Sequence, residues 1–305
     1  MTDSNIVNQN QKHVMRKEKT SSTDGNGPNV ESKIETYIGK KRKDGEKVLI
    51  PFIMAGDPNI EISEKLAVEL LENGGDILEL GLPYSDPLAD GPVIQEASQR
   101  AKNTRIKDVL ALVKRLRQKT EKPLVLLAYY NPIYQYGSAD FIEAFSKAGL
   151  DGLVIPDLDW EERKKLENEA AGKLDLIHFI TPTSEEEKIK ETAKKARGFI
   201  YCVSIAGVTG TRIKFSNQVM EAVNIVRKYT HVPLAIGFGI SNPSQAREAA
   251  KITDGAIVGS ALIKELARIV DQYPEDEVHA GRIDLAPLTN TLRQMKDAMH
   301  NCYDV

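Results

Sequence analysis

The sequence has few residues of the kinds that build disulfide frameworks or metal centres. Its 305 residues include two cysteines, Cys202 and Cys302, and five scattered histidines. Two cysteines without a CxxC spacing argue against a disulfide scaffold and suit a reducing compartment. No histidine pair has a metal-ligand spacing such as HxxxH, so no metal site is expected. We therefore expect the chemistry to come from carboxylates, hydroxyls and backbone amides.

The sequence also lacks an excess of positive charge and long apolar runs. Its formal net charge is -3 and its pI is about 6.0, which gives no basic field to attract nucleic acid or an anionic membrane. No run approaches the roughly 18 apolar residues of a membrane-spanning helix. The chain does not open with a charged segment followed by an apolar one, as secretory signals do. We expect a cytoplasmic protein that binds neither nucleic acid nor membranes.

The first thirty residues differ in composition from the rest. Residues 1–30 are polar, contain the turn-forming stretch 24–28 and hold almost no periodic apolar pattern, which predicts a disordered tail. Residues 31–305 are expected to form one domain, because the chain as a whole is 41% hydrophobic and can bury a barrel-sized core.

From about residue 48 onward, short apolar runs alternate with longer amphipathic segments. This alternation predicts a parallel sheet, and eight units in roughly 220 residues favour a closed (β/α)8 TIM barrel over an open doubly wound sheet. A final helix at 284–301, with leucines and methionines at helical spacing, is expected as an addition on the outside. The predicted strands are 48–55, 76–81, 123–130, 152–156, 175–181, 199–204, 233–237 and 256–259. The predicted barrel helices are 62–73, 106–119, 139–148, 160–171, 185–196, 217–229, 243–251 and 261–270.

Two acids mark the second of these units. Glu79 lies in the apolar run Ile77–Leu80, where desolvation raises the pKa of a carboxyl and suits it to proton transfer. Asp90 follows in a loop rich in Gly and Pro, where we expect it to stay solvated and ionised. Two acids in such different surroundings are typical of divided acid and base roles. The alternative is an ordinary strand-end acid beside a turn-stabilising aspartate.

Glycine-containing loops follow the last three predicted strands, at 206–211, 237–241 and 258–261. In a TIM barrel these loops meet at the carboxyl ends of the strands, where active sites lie. Gly239, Gly259 and Ser260 occupy the places that often bind a phosphate through backbone amides. The alternative is that these glycines serve only tight turns. Tyr201, in the sixth strand, either reaches the barrel mouth or is a buried tyrosine with a satisfied hydroxyl.

Several motifs together resemble one known family, the alpha subunit of tryptophan synthase. They span most of residues 34–265 in the expected order, and LELGxPxSDPxADGP is the most specific of them. The resemblance implies a lyase that reversibly cleaves indole-3-glycerol phosphate to indole and D-glyceraldehyde 3-phosphate in tryptophan biosynthesis. The motifs are 51–58, 79–91, 130–133, 207–210, 237–241 and 259–261.

The resemblance also implies roles for individual residues. Glu79 would be the general acid and base at the carbon–carbon bond, Asp90 would accept the indole N–H, and Tyr201 would position Glu79 and the substrate. Phe52 would line the indole pocket, and Thr209 would orient Asp90 when the loop after the sixth strand closes. Backbone amides near Gly210, Gly239, Gly259 and Ser260 would hold the phosphate.

The same resemblance implies a partner. The alpha chain would need neither metal nor organic cofactor, and would pass indole through a tunnel to a beta subunit that carries pyridoxal phosphate. Asp86 would face that beta subunit in an assembly of two alpha chains on a beta dimer.

Three other hypotheses remain open at this stage. Another phosphate-binding barrel, such as an isomerase or indole-3-glycerol phosphate synthase, predicts a catalytic lysine at a strand end, which no predicted strand clearly supplies. A barrel that only activates a beta subunit predicts the loss of Glu79 or Asp90, yet both are present. A stand-alone indole lyase would carry the same residues.

Overall fold

The strands close into a barrel with all neighbours parallel. The computed structural model describes residues 31–203, 217–237 and 239–300. The strands follow chain order from β1 to β8, and β8 pairs with β1 to close the sheet. The predicted (β/α)8 TIM barrel is therefore confirmed. The strands are β1 (Val48–Met54), β2 (Leu78–Gly81), β3 (Leu124–Leu127), β4 (Gly152–Val154), β5 (Asp175–Ile180), β6 (Ile200–Val203), β7 (Leu234–Gly237) and β8 (Gly255–Val258).

Helices follow the strands and surround the barrel. No helix within the described ranges is both long and apolar enough to cross a membrane. The predicted tail at 1–30 lies outside the described residues. The helices are α1 (Lys33–Lys43), α2 (Ile60–Glu72), α3 (Pro92–Arg100), α4 (Ile106–Arg117), α5 (Tyr130–Tyr136), α6 (Ser138–Ala148), α7 (Trp160–Ala170), α8 (Glu186–Lys195), α9 (Asn217–Tyr229), α10 (Pro243–Ile252), α11 (Ser260–Val270), α12 (Glu275–His279) and α13 (Ala286–His300).

Capping residues explain where several helices begin. Asp159 caps α7, and Pro243 occupies the first turn of α10. Helix α2 begins earlier than expected, because Asn59 caps it by accepting a hydrogen bond from the backbone N–H of Ile62 at 2.8 Å. Ser63 lies inside the helix, and its hydroxyl accepts a backbone N–H of the preceding loop.

The alternation of side chains along the strands divides the core in two. One set fills the barrel interior, including Ile77, Val125, Ile177 and Phe199, and the other packs against the surrounding helices. Burying each such aliphatic or aromatic side chain contributes about 1.5–3 kcal/mol. Tyr201 in β6 belongs to this interior set.

Four helices are absent from the sequence-based prediction. They are short or lie outside the regular units: α1, α3, α5 and α12. Helix α5 begins at Tyr130, which the prediction assigned to the third strand because the apolar run continues through that residue. Helix α3 begins at Pro92, immediately after the loop that carries Asp90. This helix thus belongs to the surroundings of the acid.

Helices α11 and α13 pack at positions that differ from those we expected. Helix α13, expected as an addition, packs against α10 and α2, so it lies in the ring between the helices that follow β7 and β1. Its Lys296 Nζ donates to Asp76 and to the Lys47 carbonyl, both at 2.6 Å, at the amino end of the barrel. Helix α11, expected in the ring, packs instead against β1 and α3. Its first residue, Ser260, therefore lies beside the barrel mouth.

Candidate functional site

A cavity of about 310 Å³ opens at the carboxyl ends of the strands. The register of β1 and β2 places Phe52 beside Glu79, and both side chains line the cavity. The structure brings most of the predicted site residues together at this place: Phe52, Glu79, Asp90, Tyr201, Gly239, Gly259 and Ser260. Thr209 and Gly210 lie outside the described residues. Asp86 lies in the same loop as Asp90 but is exposed and does not line the cavity.

Glu79 is buried without a hydrogen-bond partner. Its residue is 1% exposed, and neither carboxyl oxygen bonds to any residue that the structure describes. Burial, and secondarily the charge of Asp90, raises its pKa to about 8. Glu79 is therefore protonated at neutral pH. A buried polar group without a partner is costly and rare, so this carboxyl is free to exchange a proton with a ligand.

Asp90 is less solvated than its sequence context suggests. The expectation of a solvated carboxylate is corrected, because the loop folds over the cavity, half-buries Asp90 and raises its pKa to about 6. A hydrogen bond with the Tyr129 hydroxyl acts in the opposite direction. The pKa values of the two acids still differ, so at neutral pH Asp90 is ionised while Glu79 carries a proton.

Tyr129 is a site residue that the sequence reasoning missed. It is buried between β3 and α5, and its hydroxyl accepts the backbone N–H of Ala89 at 3.0 Å as well as bonding to Asp90. Its ring stacks on Tyr84, with centroids 5.2 Å apart. The rule that barrel sites lie at the ends of strands points to Tyr129, which follows β3 at the carboxyl end. Tyr129 thus fixes both the loop and its carboxylate.

Helix α3 holds the other side of the loop. The Ser98 hydroxyl accepts the backbone N–H of Tyr84 at 3.0 Å and donates to the Tyr84 carbonyl at 2.8 Å. The Gln95 amide donates to the Asp90 carbonyl at 2.9 Å. These bonds pair polar backbone groups of the loop that have no partner in a regular strand or helix. The loop that carries Asp90 is therefore held between α3 and Tyr129.

An ion pair joins α3 to the loop that follows β1. Arg100, the last residue of α3, donates to both carboxyl oxygens of buried Asp57 at 2.7 and 2.8 Å. Burial raises the pKa of Asp57, and the guanidinium of Arg100 opposes that effect. A bidentate pair of this kind fixes the orientation of both groups. The loops after β1 and β2 are thus coupled beside the cavity.

Glycines shape the apolar wall of the cavity. A Cβ on Gly81 would lie 2.7 Å from Phe52 Cζ, and a Cβ on Gly259 would lie 3.2 Å from Phe52 Cδ1. The Phe52 ring therefore occupies space that both glycines leave open. Such close contacts explain glycine here without any appeal to a ligand, so these two positions primarily set the shape of the wall.

Tyr201 faces the same cavity from the opposite strand. A Cβ on Gly237 would lie 2.4 Å from its hydroxyl, and the Phe179 ring packs against it with centroids 5.0 Å apart. Burial raises the pKa of Tyr201 well above its ordinary value, so its hydroxyl keeps its proton. The side chain is both a packed core residue and part of the cavity lining, which combines the two interpretations that the sequence left open.

The predicted phosphate-binding residues lie at another part of the lining. Gly239, with φ at +77°, follows β7, and Gly259 is the N-cap of α11 without a side-chain capping bond. The backbone N–H groups of residues 260–262 have no partner within the helix, whose first backbone bond runs from the Ile263 N–H to the Gly259 carbonyl, and they can therefore bind an anion. Lys264, one turn further along α11, also lines the cavity, and the sequence reasoning missed it.

The described part of the chain contains no cluster of three potential metal ligands. Among residues 31–203, 217–237 and 239–300, no group of three His, Cys, Asp or Glu residues is placed to hold a metal ion. The chemistry available in the described part of the cavity is proton transfer by Glu79, charge stabilisation by Asp90 and hydrogen bonding by hydroxyls and amides.

Comparisons of the sequence with known proteins identify its family. Residues 38–299 match the family profile described as "Tryptophan synthase alpha chain". The tryptophan synthase alpha chain of Caldanaerobacter subterraneus is 46% identical over 241 residues, covering 78% of this chain and 91% of that protein. The alpha chain of a Thermoanaerobacter species is 47% identical over 242 residues, covering 78% and 90%.

Solved structures give the same result. The tryptophan synthase alpha subunit of Legionella pneumophila superposes with a TM-score of 0.76 at 33% identity, covering 88% of this chain and 98% of that one. A chain of Mycobacterium tuberculosis tryptophan synthase in its aminoacrylate-bound form gives a TM-score of 0.76 at 28% identity, covering 88% and 99%. Since the family profile covers most of the chain and the curated relatives exceed 40% identity, this chain belongs to the tryptophan synthase alpha chain family.

Proposed function

We propose that the cavity lined by Glu79, Asp90 and Tyr201 is the active site of this chain. As a member of its family, the chain is a lyase that cleaves indole-3-glycerol phosphate to indole and D-glyceraldehyde 3-phosphate in tryptophan biosynthesis. The observation that carries the assignment is a protonated, unpartnered Glu79 in one cavity with an ionised Asp90. This is the pairing that proton transfer to an indole ring requires.

The proposed roles follow from the order of proton movements. Glu79 gives its proton to the ring carbon that bears the side chain, which leaves the ring cationic. As a carboxylate it then takes the proton of the adjacent side-chain hydroxyl. The carbon–carbon bond breaks, its electron pair restores the aromatic ring, and the hydroxyl carbon becomes the aldehyde. Glu79 ends the cycle protonated, so one carboxyl acts as acid and then as base.

Asp90 and the apolar wall act on the indole. An ionised Asp90 accepts the ring N–H and stabilises the positive charge that develops when the ring carbon is protonated, since such charge stabilisation is strong in a site that excludes water. Phe52 forms the flat wall against which the ring lies. Tyr201, whose hydroxyl keeps its proton, donates a hydrogen bond to the bound substrate and so positions it against Glu79.

The phosphate end of the substrate is placed at Gly239, Gly259 and Ser260. Unpaired amides at the start of α11 favour an anion there. Thr209 and Gly210 complete the proposal on the basis of the family resemblance, with Thr209 orienting Asp90 and Gly210 adding an amide to the phosphate. By the same resemblance, the loop after β6 would close over the substrate and exclude water, which would strengthen each of these contacts.

The surface around the mouth supports a protein partner. Leu88 is 83% exposed and Tyr134 is 60% exposed, and Asp86 lies on the same rim. Exposed apolar side chains beside a charged residue are typical of an interaction surface. We propose that Asp86 faces a beta subunit in an assembly of two alpha chains on a beta dimer. Pyridoxal phosphate belongs to the beta subunit, and this chain works without a cofactor.

The direct test is indole release from indole-3-glycerol phosphate by the purified chain. We expect stoichiometric indole and D-glyceraldehyde 3-phosphate, and a higher rate when a tryptophan synthase beta subunit is added. An isomerase or a synthase would consume or form a phosphorylated compound without releasing indole. Absence of indole both with and without the beta subunit would contradict the proposed function.

The pH dependence of kcat/KM gives a second test. Activity should rise as pH increases through about 6, where Asp90 ionises, and fall through about 8, where Glu79 loses the proton that it must donate. The substrate phosphate also titrates at about pH 6. Asp90→Asn is therefore the control that separates the ionisation of Asp90 from that of the phosphate. In that variant the residual activity should lose the part of the acid limb due to Asp90. An alkaline limit that stays absent up to pH 10 would contradict a protonated Glu79.

A further inference from the structure

The proposed roles place two negative groups in the cavity, and none of these roles assigns a cationic side chain to balance their charge. The substrate phosphate carries about −1.5 to −2 charges at neutral pH, and the ionised Asp90 adds another negative charge. Backbone amides provide only partial positive charge. Among the described residues that line the cavity, Lys264 is the one cationic side chain.

The position of Lys264 on α11 directs it toward the phosphate end. It follows Ser260 by four residues, so the two side chains lie on the same face of the helix about 5–6 Å apart. Each Cα–Cβ bond of a helix tilts toward the N-terminus. Lys264 is exposed and lines the cavity together with Ser260 and Gly239, so its flexible side chain is within the part of the cavity next to the first-turn amides.

Neighbouring acids on the helix do not engage this lysine. Glu265, the adjacent acid, forms its ion pair with Arg268 at 2.6 Å. Lys264 forms no ion pair with any residue in the described ranges, and α11 has no acidic residue in its first turn. A cation close to a helix N-terminus is unfavourable by itself, because the dipole is positive there. An anion bound at that terminus reverses the sign of the interaction.

A second observation points to a ligand in this cavity. Glu79 is almost fully buried, lines the same cavity, and has no hydrogen-bond partner for either carboxyl oxygen among the described residues. We infer that Lys264 is a phosphate-binding residue whose ammonium group contacts the substrate phosphate at the N-terminus of α11 and selects for dianionic substrates. This inference rests on the proposed function and adds a charged contact to the amides already assigned.

The test uses three variants of the full chain. Lys264→Gln removes the charge, Lys264→Arg keeps it, and Lys228→Gln removes an equal charge from the last turn of α9, at the other end of the barrel. Steady-state indole formation from indole-3-glycerol phosphate gives KM and kcat. Lys264→Gln should raise KM about tenfold, the size expected for loss of one partly solvated charge-assisted bond. Its kcat should stay close to the wild-type value.

Three further readouts separate binding from a structural role. Lys264→Arg should restore most of KM, and the salt dependence of kcat/KM should weaken in Lys264→Gln. Inorganic phosphate should stabilise the wild type against heat more than Lys264→Gln, whereas the two proteins should unfold at similar temperatures without phosphate. Inhibition by indole, which has no phosphate, should be unchanged.

Clear outcomes overturn the inference. A wild-type KM in Lys264→Gln, an equal rise of KM in Lys228→Gln, or a fall in kcat alone would each exclude phosphate binding by Lys264. The inference would also be excluded if Lys264→Gln unfolded at a lower temperature than the wild type without phosphate and Lys264→Arg failed to restore KM. If the wild type released no indole at all, the proposed function itself would fail, and the two failures are therefore distinguishable.

Discussion

Glu79→Gln should reduce indole formation from indole-3-glycerol phosphate about a thousandfold, within the range that general acid–base groups contribute. The carboxamide keeps the size and shape of the side chain but has no proton to give and accepts none at neutral pH. The cavity walls and the phosphate contacts remain in place. We therefore expect the loss in kcat, with little change in substrate dissociation constant measured by calorimetry.

The stability of this variant provides an internal control. The folded-state pKa of Glu79 is about 8 and its ordinary value is 4.5. Between these values the unfolded chain has lost the proton that the folded chain retains, so the free energy of unfolding falls as pH rises. Gln has no such dependence. The unfolding temperature of Glu79→Gln relative to wild type should therefore increase from pH 5 to pH 8.

A matched substitution tests whether the loss of one negative charge is enough to change activity. Glu121, whose side chain is 95% exposed, precedes β3 at the amino end of the barrel. Glu121→Gln should keep wild-type kcat and KM. Normal turnover by Glu79→Gln would remove Glu79 from the proton-transfer role, and an inactive variant that binds no substrate would assign it to binding instead.

Asp90→Asn should lower kcat about a hundredfold and change KM much less. The amide keeps an oxygen that can accept the indole N–H, but it has no charge to stabilise the protonated ring. Loss of one preorganised electrostatic contact of this kind typically costs 10²–10³ in kcat. Tyr129 and Gln95 still hold the loop, since their bonds to Ala89 and to the Asp90 carbonyl do not need the carboxylate.

Steady-state kinetics with a control variant would check this expectation. Asp44→Asn makes the same chemical change at an exposed position after α1 and should have no effect on kcat. A rise in KM equal to the fall in kcat/KM, with kcat unchanged, would show that Asp90 only binds substrate. That result would leave the developing ring charge without a stabilising group in this proposal.

The sequence predicts the barrel and its principal acid for simple physical reasons. Eight apolar runs at regular spacing leave few other folds, and Glu79 stands out because a carboxyl interrupts such a run. The structure confirms the closed sheet and places Glu79 within β2, where its side chain lines the cavity. The positions of the strands depend mainly on the local pattern of apolar residues, so they could be predicted from the sequence.

Features that depend on contacts between distant segments could not be predicted in the same way. The partial burial of Asp90 results from packing of its loop against Tyr129 and α3, which no local pattern encodes. Lys264 lines the cavity because α11 packs against β1 and α3 and not in the ring of helices around the barrel. Short helices such as α5 show too few turns for a periodic signal.

The position of Phe52 between Gly81 and Gly259 has a consequence for engineering the enzyme. Because a Cβ at position 81 would lie 2.7 Å from the Phe52 ring and one at position 259 would lie 3.2 Å from it, a larger residue at either position would force the ring to shift. Trimming Phe52 itself, by contrast, opens room without disturbing either strand. Acceptance of bulkier ring-substituted indoles should therefore evolve by changes at position 52, while its two glycine neighbours stay fixed.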